Sequence, residues 1–221
     1  MEILENFRKI EDEIRSKTAE EVVLVGVSKF QSIEKMQSAW DAGLRHFGEN
    51  RVQEGLKKKN SLPQNATWHL IGHLQKNKAR QAVQVFDWIH SVDSYELAKI
   101  LDQEAEKQGK KPKILIQVNV AQEPQKYGVT EEELFDVAKQ ISELSHLEFV
   151  GIMVMAPLEE ELEKVRPIFK RGRELFLELQ EVQKSSPIAF LSMGMSNDYP
   201  IAIEEGANVI RVGRVLFENL Q

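Results

Sequence analysis

The sequence predicts a closed (β/α)8 TIM barrel preceded by one extra amino-terminal helix, and three observations point there. Eight short apolar, β-branched runs recur at about 22–29, 46–49, 67–72, 88–91, 113–119, 148–155, 188–193 and 208–213. Longer segments with apolar residues at helical spacing separate them, which is the pattern of a parallel sheet wrapped by helices. The loop after the first run lacks G-x-G-x-x-G, which weakens the competing open, doubly wound sheet. No linker, low-complexity tract or composition shift divides the 221 residues, so one domain spanning 1–221 is expected.

Taken in order, a helix over about 2–17 presents Ile3, Phe7, Ile10 and Ile14 on one stripe. The first strand then runs from Val22 to Lys29. Ile33, Met36 and Trp40 mark the next helical face, and Leu97, Ile100, Leu101 and Ala105 a later one. Ser94 is placed to cap that later helix, and Gly109 followed by Pro112 to end it. Thr130, followed by three glutamates, opens a helix carrying Leu134, Val137, Ala138 and Ile141. Leu175, Phe176 and Leu179 lie on another face. Each strand but the last is expected to have a helix after it. Trp40, Trp68 and Trp88 read as packing.

Composition narrows the function. A formal charge of −6 argues against nucleic acid or anionic membrane as a partner. The Lys57-Lys58-Lys59 run and the Lys76/Lys78/Arg80 cluster are expected to be solvated helix faces. The absence of cysteine excludes disulfides, thiolate metal sites and a cysteine nucleophile. No signal-peptide core and no run of the ~20 apolar residues needed to cross a bilayer are visible. A cytoplasmic protein is expected.

In such barrels the chemistry sits where the strands end at their carboxyl side. Lys29 closes the first apolar run, where partial loss of water would favour the free, nucleophilic amine. An ordinary surface lysine is the competing explanation. The tips of the other strands bring Glu49-Asn50, Gly72-His73, Asp93, Asn119, Met193-Gly194 and Arg211 to Gly213 around the same mouth. The segment Leu191 to Asp198 runs from strand into helix. Its Gly194 permits a tight turn, and Ser196 is placed to cap the helix containing Pro200. Together with N–H groups around Gly213 and Arg214, Ser196 forms a candidate phosphate cradle. Arg211, inside an apolar strand, must find an acceptor and can face the mouth. An amine, an anion pocket and an intervening arginine fit a flat phosphorylated aldehyde. Pyridoxal 5′-phosphate has that shape, with its ring nitrogen toward Arg211.

The stretches VGVSKF (25–30), HFGENRVQE (46–54), WHLIGHLQKNK (68–78), QVNVAQEPQKYG (117–128), GIMVMAP (151–157) and LSMGMSNDYPIAIEEGANVIRVG (191–213) carry a resemblance. The chain resembles the pyridoxal-phosphate homeostasis protein family, single-domain relatives of the barrel half of bacterial alanine racemase. The resemblance implies that Lys29 forms a Schiff base with the cofactor. It implies that Ser196, Gly213 and Arg214 hold the phosphate and that Arg211 faces the pyridine nitrogen. Asn50, Met193, Gly194 and Met195 would line the site. Arg214 departs from the Thr or Ser common in relatives, which leaves a backbone contact there, and Glu218 stands where a glycine is common.

The implied role is binding of pyridoxal 5′-phosphate in vitamin B6 homeostasis, buffering or delivering it without robust turnover. Apo pyridoxal-phosphate enzymes are then candidate partners, and a monomer is expected. The alternative is an amino-acid racemase on the same lysine, which needs a second base. Relatives draw that base from an added domain, which this chain is expected to lack. A lysine aldolase shares the barrel and phosphate site but needs an acid–base residue with no evident position. His69 and His73 are four apart yet straddle a strand end, so no metal site is expected. Asp93 and Glu49 could pair as carboxylates, but Asp93 is as well explained as a turn or cap near Ser94. Tyr127-Gly128 is expected to order the loop after strand five, with a role over the cofactor as the alternative.

Overall fold

Eight parallel strands close into a barrel in simple chain order, each hydrogen-bonded to its neighbours and the eighth to the first, in a computed structural model that describes residues 2–123, 127–157, 159 and 161–218. Residues 124–126 of the fourth resemblance stretch lie outside the described residues. The strands are β1 (Val23–Val27), β2 (His46–Glu49), β3 (Thr67–Leu70), β4 (Trp88–Val92), β5 (Lys113–Val118), β6 (Glu148–Val154), β7 (Phe190–Met195) and β8 (Val209–Val212). Around them lie α1 (Glu2–Lys17), α2 (Ile33–Ala42), α3 (Val52–Lys58), α4 (Ala79–Val85), α5 (Tyr95–Gln108), α6 (Glu131–Ser142), α7 (Arg166–Val182), α8 (Tyr199–Glu204) and α9 (Arg214–Phe217). Among the described residues no helix is long and apolar enough to cross a membrane.

Local sequence explains these boundaries. The Ser94 side chain accepts from the Leu97 amide at the start of α5, and Gly109 ends that helix in the left-handed conformation, with φ +60°. Thr130 and Glu133 form a reciprocal capping box on α6. Phe7, Ile10 and Ile14 bury one stripe of α1, which packs against α2, α8 and α9. The last strand, expected to stand alone, is followed by the single-turn helix α9. Its Leu216 and Phe217 are buried and anchor it.

Period-two alternation sorts each strand into two faces. Outward residues such as Phe47, Trp68 and Leu70 join the layer between sheet and helices. The register places Val25 beside both His46 and Arg211, so these three share the inward face at one level. Lys58 differs from expectation. It is buried rather than solvated, because its ammonium bonds Glu49 at 2.9 Å and the Ser28 carbonyl at 2.8 Å between β2 and α3. Lys57, beside it, remains exposed and pairs with Glu54.

Candidate functional site

A cavity of about 490 Å³ opens at the carboxyl ends of the strands. Lys29, Asn50, Met195, Ser196, Arg211, Gly213 and Arg214 all line it. Lys29 lies in a turn two residues past the end of β1 rather than closing the strand, and it is exposed. The strand therefore does not strip it of water; only an occupant of the cavity could. The turn itself is pinned from behind. Buried Ser28 donates its amide to the Gly48 carbonyl at 2.9 Å and its hydroxyl to Glu49 at 2.7 Å, while its own carbonyl accepts from Lys58. Next to Lys29, Phe30 adopts φ 63° and is 90% exposed. A non-glycine residue persists in that region only where its surroundings over-determine it.

Arg211 is 3% exposed. It donates to the Ser192 hydroxyl at 2.7 Å and the Val154 carbonyl at 3.2 Å, both neutral acceptors. Burial pushes its guanidinium down to about 10, against the pull of the Asp198 carboxylate. Burial in turn raises Asp198, opposed by its hydrogen bond from the Met195 amide. Among the described residues, the basic side chains of Lys29, Arg211 and Arg214 thus share the lining with the carboxyl groups of Asp198 and Glu159.

The turn after β7 differs in detail from the cap expected of Ser196. Asp198 occupies the N-cap position of α8, and Ser196 Oγ instead accepts from the Gly213 amide at 3.1 Å. Its hydroxyl proton remains to donate, so Ser196 and Gly213 form one anion-receptive corner. Gly194 sits at φ +89°, and a Cβ there would lie 2.6 Å from Ala202 Cβ, so the turn requires glycine. Met193 and Gly194 fall outside the cavity lining: Ser192 points inward, so Met193 points outward and is fully buried. Arg214 reaches Asn197 at 2.9 Å. Asn50 is held close to β3, since a Cβ on Gly72 would approach its carbonyl oxygen to 2.3 Å.

Other predicted constellations separate. Glu49 faces outward to Lys58, whereas Asp93 lies 3.3 Å from His73 Nδ1, so they form no carboxylate pair. His69 is fully buried inside the barrel, while His73 stacks on Tyr127 with ring centroids 3.6 Å apart at the cavity. Sequence reasoning missed Ser192 and Lys58. Ser192 was legible as an inward strand position; Lys58 was masked by its lysine neighbours.

Known proteins resemble this chain in sequence and fold. The family model described as alanine racemase, N-terminal domain, matches residues 2–220. The pyridoxal phosphate homeostasis protein of Haemophilus influenzae is 35% identical over 226 residues, covering 98% of this chain and 95% of its own. PipY of Synechococcus elongatus, solved without PLP, is 42% identical with a TM-score of 0.91, covering 97% of this chain and 99% of its own. The same protein with PLP bound gives 41% and 0.87 at the same coverage. An alanine racemase of Clostridium difficile shares the fold alone, at 16% identity and TM-score 0.76 over 96% of this chain and 59% of its own. This chain belongs to the alanine racemase N-terminal domain family, among the pyridoxal phosphate homeostasis proteins.

Proposed function

We propose that this chain binds pyridoxal 5′-phosphate in the carboxyl-end cavity, retains it through Lys29, and buffers or delivers it in cofactor homeostasis. The observation that carries the reading is the convergence of Lys29, Arg211 and the Ser196–Gly213 corner on one cavity of about 490 Å³. That volume lies in the range of small-cofactor sites, ~300–1,000 Å³. The names of the relatives and the PLP in PipY support it.

When bound, the cofactor supplies an aldehyde that condenses with an amine. The chain's residues supply everything else. Lys29 presents the amine on its pinned turn. The Ser196 hydroxyl, whose oxygen the Gly213 amide holds, and the Arg214 amide receive the phosphate. Arg211, a fixed donor, meets the ring nitrogen and keeps it unprotonated, which weakens the ring as an electron sink. That favours holding the cofactor over turning substrates over. Residues 1–221 would act as one cytoplasmic, monomeric unit, with apo-enzymes as recipients.

The test is the absorbance of the purified protein, followed by borohydride treatment and mass spectrometry. A visible band, fixed by borohydride onto the Lys29 peptide and lost in Lys29→Ala, is expected. A colourless protein that stays unlabelled after incubation with pyridoxal 5′-phosphate overturns the reading. Exchange of the α-proton of alanine or serine, abolished in Lys29→Ala, would replace homeostasis with racemisation.

A further inference from the structure

A continuous line of short polar contacts crosses the barrel interior. His46 Nδ1 lies 2.9 Å from His69 Nε2, and His69 Nδ1 lies 2.8 Å from His90 Nε2. His90 Nδ1 then lies 2.9 Å from Ser192 Oγ, which accepts from Arg211 at 2.7 Å. The residues come from β2, β3, β4, β7 and β8, and His69, His90 and Ser192 are fully buried. The line begins in a second cavity, of about 680 Å³, at the amino-terminal ends of the strands, whose lining includes His46 and Trp88. It ends at the cation in the first cavity.

Its direction follows from one residue that cannot reverse. Arg211 can only donate, so Ser192 Oγ accepts from it. The buried Ser192 hydroxyl proton then needs an acceptor, and among the described residues His90 Nδ1 is the one placed to take it. A neutral imidazole that accepts at one nitrogen donates from the other. His90 Nε2–H therefore donates to His69 Nδ1, and His69 Nε2–H to His46 Nδ1. All three rings carry the proton on Nε2. Neutrality is expected in any case, because burial first, and neighbouring positive charges second, push His69 and His90 well below the usual imidazole range. Reversal would leave the serine proton buried without a partner.

We propose that His46, His69, His90 and Ser192 are positioning residues for Arg211, a relay of single polarity that fixes the guanidinium in the carboxyl-end cavity and ties it to the opposite cavity. The identity of what Arg211 meets rests on the proposed function; the polarity of the relay does not.

Nitrogen-15 NMR of the full-length protein, as purified and after loading with pyridoxal 5′-phosphate, tests it. His46, His69 and His90 are expected as the Nε2–H tautomer in both samples. Ser192→Ala should lose the defined His90 tautomer and raise the rate of cofactor release roughly tenfold, the scale of one hydrogen bond to a charged group. Ser192→Thr, which keeps the hydroxyl, should restore both. An Nδ1–H form of His69 or His90 in the wild-type chain overturns the relay, whether or not any variant folds. Unchanged His90 signals and release in Ser192→Ala overturn it too. Correct tautomers in a protein that never takes up pyridoxal 5′-phosphate would sink the proposed function and leave the relay standing.

Discussion

Two buried polar assemblies flank the inner wall of the barrel and solve one problem in opposite ways. On the outer side, Glu49 and Lys58 form an ion pair with Ser28 beneath the Lys29 turn. On the inner side, three imidazoles and a serine connect to Arg211, drawing on no carboxylate within the line. The first depends on attraction between opposite charges, and one oxygen of Glu49 is buried with no hydrogen-bond partner. The second depends on each member being donor and acceptor at once. The outer assembly is therefore vulnerable to loss of a charge, and the inner one to gain of a proton.

The largest effect is expected from the outer pair. Lys58→Met should destabilise the fold by about 3–5 kcal/mol in urea denaturation, because a buried carboxylate is left uncompensated. Adding Glu49→Leu should recover most of that loss. If the single variant costs under ~1 kcal/mol, the pair is not the support of the Lys29 turn. The inner assembly should respond to acid. His69 and His90 bind protons less readily when folded than at their ordinary value of 6.5. Their contribution is thus fully present above that pH and lost as the pH falls below it, since the unfolded chain takes up more protons. The slope is roughly 1.4 kcal/mol per pH unit for each histidine kept neutral. Stability curves between pH 7 and 5 should be shallower in a variant carrying His69→Gln and His90→Gln. The smallest change calibrates the others: Thr130→Ala, which opens the capping box of α6, should cost about 1 kcal/mol by the same denaturation.

Legibility divided along the same wall. All eight strands could be read from apolar runs, because parallel strands covered by helices are buried on both faces. The capping of α5 and α6 was legible for a similar reason: the signals lie within a few residues of one another. What remained hidden was long-range. Lys58 is buried only because β2 brings Glu49 to it, and a lysine run looks solvated without that knowledge. Ser196 has the residue type of a cap, but the proximity of β8 gives it the Gly213 amide instead. Lys29 overshoots its strand, so its water is controlled by the cavity and not by the sheet. His69 and His73, four apart along the chain and not expected to hold a metal, part company in three dimensions: His69 meets His46 and His90, and His73 stacks on Tyr127.

The docking of α1 sets an order on assembly. Asn6 of α1 donates to the Leu216 carbonyl, 210 positions away, and β1 pairs with β8. During synthesis the apolar stripe of Phe7, Ile10 and Ile14 leaves the ribosome long before its docking surface on α8 and α9 exists. Until then α2 alone is available to cover part of it. Contacts so distant along the polymer also make ring closure a late and slow event.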